Sequence, residues 1–335
     1  MGTMPKKPLR KKKPSRRKRT KKYRVRNWRE YNEALVQRGA VTVWVSEEAR
    51  EGWLFRGPRH QGRPRTFSDG AIECALTLRA VFRLPLRQTE GFLRSAFHLM
   101  QVSLPIPDYS TLSLRAKNLH VDLHRAVNGP LHLILDSTGL KVRGDGEWKR
   151  KWYGMNRHRK WRKFHLGIDP KTGEIEAVDL TSSCVHDSTP VPRMLKQVQQ
   201  PILSVTADGS FDRINVYYAL WKKDIPPIIP PRRGAKIRRL RKDPKDGKWK
   251  NHVACMDSRD ANVRAVRENG KKRWKRESHY HRRSLIETTM FRQKKIFGGE
   301  MRSRILQNQR TEAAIRCRAL NIMTQLGMPQ SVKVA

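Results

Sequence analysis

The sequence predicts an α/β fold, in which a mixed sheet is flanked by helices and preceded by an all-helical region. Two short apolar runs, residues 131–135 and 202–207, each end in Asp followed by small turn residues. Buried strands that deliver a carboxylate to a sheet edge have this pattern. Residues 282–297 contain no Gly or Pro before the glycines at 298 and 299, and are therefore expected to form a helix.

The remaining elements of the sheet follow from the same patterns. After a strand that begins near residue 131, we expect strands at 163–168, 174–180, 202–207 and 227–229. We expect helices at 190–199, 211–222 and 305–326 in addition to 282–297. Strands that alternate with helices in this order predict a mixed sheet with helices on its faces.

Three short helices are expected between residues 68 and 119. Ser68 is a plausible N-cap for the first, and Pro85 opens the second, which runs to about residue 100. A break at residues 105–109 precedes the third helix, which is expected to begin at Ser110. This arrangement is compatible with a DNA-binding helix-turn-helix at 68–119, although helical hairpins that contact no DNA have similar sequences.

The charge of the chain indicates a polyanionic partner. Its 73 Lys and Arg residues exceed 30 Asp and Glu residues, for a formal net charge of +43 in 335 residues. Nucleic acid is the favoured partner, because the sequence contains no apolar run of about 20 residues to span a membrane. The four cysteines form no C-x2-C pair, so a zinc site is not expected.

The amino terminus is the most basic part of the chain. Residues 5–26 contain fourteen Lys or Arg and no acid, and this composition predicts a disordered arm. The arm either lies on DNA phosphates or serves as a solubilising tail, and the overall charge favours the first interpretation.

Four residues near the carboxyl terminus form the pattern Y-x2-R-x3-E-x6-K: Tyr280, Arg283, Glu287 and Lys294. Offsets of 3, 7 and 14 residues fall on one face of a helix. The alternative is a solvated charged face on an amphipathic helix. An apolar stripe that would seat this helix on a core comprises Ile286, Met290 and Phe297.

The two strand-end aspartates, Asp136 and Asp208, combine with Glu287 into a possible metal site. Carboxylates with substrate phosphate oxygens are the ligands that Mg2+ prefers. Two such ions about 3.5–4 Å apart promote in-line displacement at phosphorus. The alternative for each aspartate is a turn-capping role, which is common at strand ends.

With these residues the chain resembles the DDE transposases of bacterial insertion sequences, whose catalytic domain is RNase H-like. The Y-R-E-K signature is matched at all four positions, residues 26–39 look like the amino-terminal region of one subgroup, and the resemblance extends from residue 23 to about 327. It implies two Mg2+ ions, for which Mn2+ is able to substitute. Asp136 would bridge both ions, and Asp208 and Glu287 would hold one each. Tyr280, Arg283 and Lys294 would hold phosphates at the transposon end.

The resemblance also implies an organisation and a function. Residues 1–26 would be the basic arm, 27–125 a helical DNA-binding region, and 126–335 an RNase H-like catalytic domain with a basic insertion at about 232–276. The enzyme would bind terminal inverted repeats, cleave a strand there and join the freed 3′-hydroxyl to target DNA. It would act as a homodimer at paired ends, in the bacterial cytoplasm on nucleoid DNA, and without a membrane.

Two other functions remain open. One is a metal-dependent DNA nuclease of the same fold that cuts but does not join strands. The other is a non-catalytic DNA-binding regulator built on residues 68–119, against which the intact acidic trio argues.

Further residues are weaker candidates for the site. Arg232 and Arg233 follow two prolines and form a possible DNA clamp. His186 and Asp187 follow the third strand and would line the site, unless Asp187 is only an N-cap.

Several tryptophans lie in basic stretches of the sequence. Trp249 and Trp274 are candidates for holding an unstacked base at the cleaved end. Base stacking, core packing or cation–π pairing would each explain Trp148, Trp152 and Trp161.

Overall fold

The computed structural model describes residues 22–45, 47–58, 64–123, 129–143, 160–237 and 254–334. Its amino-terminal part is helical, with α1 (Trp28–Gln37), α2 (Val41–Trp44), α3 (Glu47–Glu51), α4 (Asp69–Val81), α5 (Leu86–Leu99) and α6 (Tyr109–Arg115).

The start signals of α4 and α5 were predicted from the sequence. The Ser68 hydroxyl accepts a hydrogen bond from the Ala71 amide at 3.1 Å, and Pro85 is the residue before α5. The third helix begins at Tyr109 rather than at Ser110, because Asp108 is its cap. One Asp108 carboxylate oxygen accepts the amides of Ser110 and Thr111, each at 2.8 Å. Helix caps thus fix the entry of the chain into these helices.

Residues at the end of the predicted basic arm form a strand. β1 (Lys22–Val25) pairs antiparallel with β8 (Ser331–Val334). The prediction of disorder for residues 1–26 is therefore wrong for 22–25, and residues 1–21 lie outside the described residues. Residues 22–25 are ordered by a ladder of backbone hydrogen bonds with a segment some 300 residues away, and the composition of residues 1–26 carries no information about that partner.

The predicted mixed sheet of RNase H-like kind, flanked by helices, is confirmed. In the described residues the sheet has the order β4-β3-β2-β5-β6, with β7 paired to the end of β2. β2 is antiparallel to β3 and parallel to β5 and β7. The strands are β2 (Leu131–Val142), β3 (Trp161–Ile168), β4 (Ile175–Ser182), β5 (Ile202–Ala207), β6 (Pro227–Ile228) and β7 (Glu300–Met301).

Alternation along β2 divides the protein into two cores. Leu131, Leu133 and Leu135 belong to one hydrophobic cluster, and Ile134 and Leu140 belong to the other. Successive side chains of a strand point to opposite faces, so each face of the sheet seats its own layer of helices. The helices that follow β4 are α7 (Val191–Gln197), α8 (Ile214–Trp221), α9 (Asp257–Glu277), α10 (Ser284–Phe297) and α11 (Leu306–Leu326).

The amino-terminal helices share a core with one face of the sheet. Ile72 and Leu93 of the helical region lie in the same buried cluster as Phe164 of β3 and Ile286 of α10. The long helix α11 contacts both α4 and β4, so it fills the space between the helical region and the sheet. The helical region therefore contributes to the layer that supports α10.

The segment before α10 differs from the sequence interpretation in two respects. The basic insertion contains α9, which is 21 residues long and changes direction at Gly270, where φ is 76°. Residues 280–283, expected to open the signature helix, instead form a short 3-10 turn after His279, which adopts left-handed φ of 54°. Non-glycine residues adopt that conformation uncommonly, so the change of helix type was not visible in the sequence.

No helix in the described part of the chain combines the length and the apolarity that a membrane span requires.

Candidate active site

Two of the three predicted carboxylates lie on neighbouring strands: Asp136 is within β2, and Asp208 directly follows β5. Leu135 of β2 is paired with Ala207 of β5 in parallel register, so Asp136 and Asp208 come next on adjacent strands. The Asp136 side chain is 15% exposed, and the charges of Asp208 and Glu287 both act on it. The sheet thus places the two aspartates side by side on adjacent strands. The expectation that Asp136 ends its strand is wrong, because pairing with β3 continues β2 to Val142.

Glu287 approaches these aspartates from the first turn of α10. The 3-10 turn of residues 280–283 contacts both β2 and β5, and it directs α10 across the end of the two strands. The predicted apolar stripe of α10 is buried, which fixes the helix on the sheet; its residues are Ile286, Met290 and Phe297. Glu287 itself is exposed at the opening of the site.

Arg283 lies between two of the carboxylates. Its Nη1 donates to Asp136 Oδ2 at 2.7 Å, and its Nη2 donates to Glu287 Oε1. Burial disfavours the charge of Arg283, but its interactions with Tyr280 and with the carboxylates of Asp136 and Glu287 outweigh burial and raise its pKa. A cation therefore already occupies the space between these acids.

The pKa of Asp136 is raised, mainly because burial penalises its charged form. The Ser137 amide, which donates to Asp136 Oδ1 at 2.8 Å, and the Arg283 guanidinium act in the opposite direction. The charges of Asp208 and Glu287 raise the pKa further. Acids that share one site repel each other, and the positive charge of Arg283 offsets part of that repulsion at Asp136.

The donor chemistry of this site fits a divalent cation. Asp136, Asp208 and Glu287 offer hard carboxylate oxygens, and the guanidinium of Arg283 shows that a cation is stabilised between two of them. In the described residues, no three acidic, His or Cys side chains lie close enough together to form a ready metal cluster. Arg283 bonds two of the three, so a metal ion held by these acids would compete with its guanidinium.

Comparison with known protein families gives two matches, each described as a transposase DDE domain. One covers residues 36–145 and the other covers residues 128–322, which is more than half of the chain. The chain belongs to the DDE transposases. It is therefore a metal-dependent enzyme that cleaves and transposes DNA, and its family uses divalent metal ions and DNA as substrate.

Lys294 of this transposase lies beside the acidic site. Its ammonium donates to Thr138 Oγ1 at 2.5 Å, two residues beyond Asp136 on β2, and burial lowers the pKa of Lys294. Residues two apart on a strand share a face, so Lys294 and the Asp136 carboxylate lie on the same side of the sheet. This places a positive charge along the strand from the acids, which is compatible with the predicted phosphate contact.

Tyr280 and Trp274 are buried against each other. Tyr280 is 8% exposed, with its ring centroid 5.8 Å from that of Trp274. Burial is the main reason that the pKa of Tyr280 is raised, and the charges of the three site acids add to it. The Trp274 indole donates to Asn262 Oδ1 at 3.2 Å. The prediction that Trp274 holds an unstacked base is wrong for this structure, because its ring packs in the interior.

Arg232 binds the turn that carries Asp208 rather than lying free as a clamp. Its guanidinium donates to the carbonyl of Gly209 at 3.2 Å and to that of Ser210 at 3.1 Å. Its backbone amide donates to Asp212 Oδ2 at 3.0 Å. Both arginines are exposed, but the Arg232 guanidinium is already engaged with the turn, so Arg233 is the one whose surroundings suit a DNA contact.

His186 and Asp187 lie near the turn of Asp208 but make local contacts. His186 Nε2 is 3.2 Å from Arg213 Nη2, and burial followed by the Arg213 charge lowers the pKa of His186. Asp187 forms an ion pair with Lys163 at 3.1 Å. The interpretation of Asp187 as an N-cap is wrong, because α7 begins four residues later with Pro190 before it.

Of the other tryptophans, Trp161 is 40% exposed and stacks under the Lys141 ammonium at 5.9 Å. Cation–π pairing, one of the alternatives for this residue, is therefore what the structure contains. Trp148, Trp152 and Trp249 lie outside the described residues.

Sequence reasoning missed the ion pair that anchors α9 to the site. Arg259 Nε donates to Asp212 Oδ1 at 2.7 Å, and both side chains are buried. Asp212 also accepts the Arg232 amide, so one carboxylate joins α9 to the turn after β5. The sequence signal for Asp212 was its position four residues after Asp208, and nothing in the sequence links Asp212 to Arg259.

Proposed function

We propose that this transposase mobilises an insertion sequence by binding its terminal inverted repeats, cleaving a strand at each end and joining the 3′-hydroxyl to target DNA. One observation carries the proposal. The Arg283 guanidinium joins the carboxylates of Asp136 on β2 and Glu287 on α10, and the charge of Asp208, which follows β5, also acts on Asp136.

In this proposal the transposase binds two Mg2+ ions, for which Mn2+ is able to substitute. Asp136 would contact both ions, and Asp208 and Glu287 would contact one each. Bound there, the ions would activate water or the 3′-hydroxyl and stabilise the leaving oxygen. Because those oxygens are the nucleophiles, no residue of the chain needs to form a covalent bond with DNA, and buried Tyr280 is not required to react.

The basic side chains around the site would position the DNA. Lys294, held on Thr138, would bind a phosphate along the strand from the acids, and Arg283 would exchange its carboxylate partners for a phosphate. Exposed Arg233 would add a contact near Asp208. Residues 1–26 would follow the DNA backbone as a basic arm, and the region 27–125 would supply further contacts, with helix-turn-helix recognition by residues 68–119.

The transposase would act as a homodimer that pairs two transposon ends on nucleoid DNA. Strand transfer joins both ends to one target, so two active sites must be held together. The dimer follows from this requirement of the reaction rather than from a contact surface.

The first prediction concerns the three carboxylates. Asp136→Asn, Asp208→Asn and Glu287→Gln are each expected to slow end cleavage about a thousandfold, which corresponds to the several kcal/mol that a metal ion contributes to the transition state. DNA affinity without metal should be unchanged or higher, because each change removes a negative charge. Asp122→Asn, outside the site, is the control. Near-normal cleavage by any of the three variants would remove that residue from the metal site.

Strand transfer separates the proposal from its main alternative. A pre-cleaved end with a free 3′-hydroxyl, incubated with supercoiled plasmid and Mg2+, should be joined to the plasmid. Cleavage without joining would indicate a nuclease of the same fold, and binding without cleavage would indicate a regulator.

A further inference from the structure

A basic groove lies at the far end of β2, apart from the acidic site. It has a volume of about 360 Å3 and is lined by Arg83, Lys141, Arg143, Arg302 and the chain from Phe297 to Glu300. Glu300 is the one acid among its described lining residues. This surface, called here the basic groove, therefore carries a net positive charge.

A closed cavity of about 30 Å3 lies beneath the groove, and both share Arg83, Phe297 and Arg302. Arg79, Glu312 and Arg316 line the cavity from α4 and α11. A space of this size exceeds what one water needs and is far too small for a nucleoside. Arg79, Arg302 and Arg316 are called here the arginine cluster.

The single carboxylate of the cavity is already engaged. Glu312 accepts the backbone amides of Arg302 and Ser303, at 3.0 Å and 2.8 Å, and accepts Arg316 Nη2 at 2.5 Å. Arg316 is 2% exposed, yet its buried Nη1 has no hydrogen-bond partner. The buried Nε of Arg79 has none either.

The charges of the cluster are not balanced. Burial lowers the pKa of Arg302, and the neighbouring charges of Arg143, Arg79 and Arg316 lower it further. Glu312 opposes them with one negative charge. Buried like charges without a counter-ion are costly, so this part of the molecule favours the arrival of an anion.

We propose that the basic groove binds a backbone phosphate of DNA, with the arginine cluster beneath it supplying the attraction. The inference rests on DNA as the substrate of the proposed function, and it adds a binding site separate from the acids. The groove is open and much larger than a free inorganic anion requires, which favours a nucleic-acid strand as the occupant.

The position of the groove relates it to the active site. Lys141 lies five residues beyond Asp136 on β2, which corresponds to about 16 Å at 3.3 Å per residue. Because five is an odd offset, the side chains of Lys141 and Asp136 leave β2 on opposite faces, so the groove is a surface separate from the acidic site.

The test measures DNA affinity of the full chain against salt concentration, in EDTA and with a fluorescent duplex. Arg143→Gln and Arg302→Gln should each lower the slope of log affinity against log salt by about 0.9, the value for one lost phosphate contact. Lys171→Gln, an exposed lysine in the β3–β4 turn, is the charge-matched control. Arg302 donates to the Arg83 carbonyl, so its variant is checked by thermal unfolding, and exposed Arg143 tests the groove without that risk.

A second arm separates DNA phosphate from free phosphate. Inorganic phosphate at millimolar concentration is added to the metal-free protein, and its thermal unfolding is followed. If phosphate stabilises the wild type but not Arg302→Gln, while Arg143→Gln leaves the DNA slope unchanged, the cluster is a free-anion site and the proposal fails. It also fails if both groove variants keep the wild-type slope. Cleavage does not enter these measurements, so their outcome is independent of the proposed strand transfer.

Discussion

At the scale of single residues, Arg283 is where structure and sequence pattern differ most. The pattern places it on a DNA phosphate, whereas in the structure its planar fork spans Asp136 and Glu287. Arginine suits this position because its donors engage two carboxylates at once and it does not lose its charge. In the DNA-free protein it neutralises acids that would otherwise repel each other.

The second prediction follows from that contact. Arg283→Ala should raise the affinity of the DNA-free protein for Mn2+ about tenfold, since a charged hydrogen bond to the ligands, of about 1.5–3 kcal/mol, no longer competes. Isothermal titration calorimetry with Mn2+ measures it. Cleavage at saturating Mg2+ should nevertheless fall, because the same guanidinium would grip a phosphate.

Arg282→Ala is the matched control, because Arg282 is the preceding residue and is exposed. Equal Mn2+ affinities for the wild type and Arg283→Ala would show that the guanidinium does not compete with metal.

At the scale of elements, the turn after β5 is held by its neighbours. Asp208 caps this 3-10 turn by accepting the Ser210 amide at 2.8 Å, and Arg232 binds the same turn from the strand β6 side. Arg259 of α9 reaches it through Asp212. The position of Asp208 thus depends on three separate segments.

The third prediction compares the two adjacent arginines. Arg232→Ala should reduce the maximal cleavage rate about tenfold with little change in DNA affinity, because a displacement of the Asp208 turn costs catalysis through geometry. Arg233→Ala should weaken DNA binding and lower its salt slope while keeping the maximal rate. Single-turnover cleavage and anisotropy titrations measure both. The opposite assignment would mean that Arg232 is the clamp.

The fourth prediction concerns strand β3. His165 is 1% exposed, with Nε2 2.9 Å from Thr181 Oγ1, and burial lowers its pKa from 6.5 to about 4. Asp187 and Asp179 counteract this, and Lys163 and Arg193 add to it. The folded chain thus keeps His165 neutral where the unfolded chain binds a proton. The free energy of unfolding should fall as pH drops from 6.5 to about 4, by about 3 kcal/mol from this residue.

His165→Gln should remove that part of the pH dependence, and His98→Gln, at an exposed position, should not. Urea denaturation at pH 7 and pH 5 makes the comparison. A wild-type pH dependence in His165→Gln would assign the acid sensitivity to other groups.

At the scale of the whole molecule, the helical region and the catalytic sheet are joined by packing and by specific bonds. Arg83, at the end of α4, donates from Nε to the carbonyl of Ile296 and from Nη2 to that of Lys295, each at 2.8 Å. These carbonyls belong to the last turn of α10, where cationic groups are favourable. A residue of the helical region therefore holds the far end of the helix that carries Glu287.

The fifth prediction tests this link. Arg83→Ala should lower the free energy of unfolding by about 1 kcal/mol, a value reduced because the bonds are exposed. It should also slow cleavage, since α10 loses its far anchor. Arg29→Ala, an exposed arginine on α1, is the control. Unfolding should remain a single transition in both, because the two regions share a core; separate transitions would contradict this.

Much of the fold and of the site was predictable because its signals are local. The strand end before Asp208, the N-cap Ser68 and the apolar stripe of α10 each follow from residues within one or two turns of chain. The proposal that Asp136, Asp208 and Glu287 are the catalytic acids likewise came from residue type and from their positions in the sequence. The predicted strand 202–207 has the same bounds in the structure.

Other features depend on contacts between residues far apart in the sequence, and only the tertiary structure determines them. Arg283 meets Asp136 across 147 residues, β1 finds β8 at the other end of the chain, and Trp274 is covered by packing against Tyr280. Sequence determines which groups are able to bond, but a guanidinium near both carboxylates and phosphates takes whichever the fold brings within hydrogen-bond reach. The sequence by itself therefore determined the chemistry of this transposase, and the tertiary structure decided which partner each charged residue holds before DNA arrives.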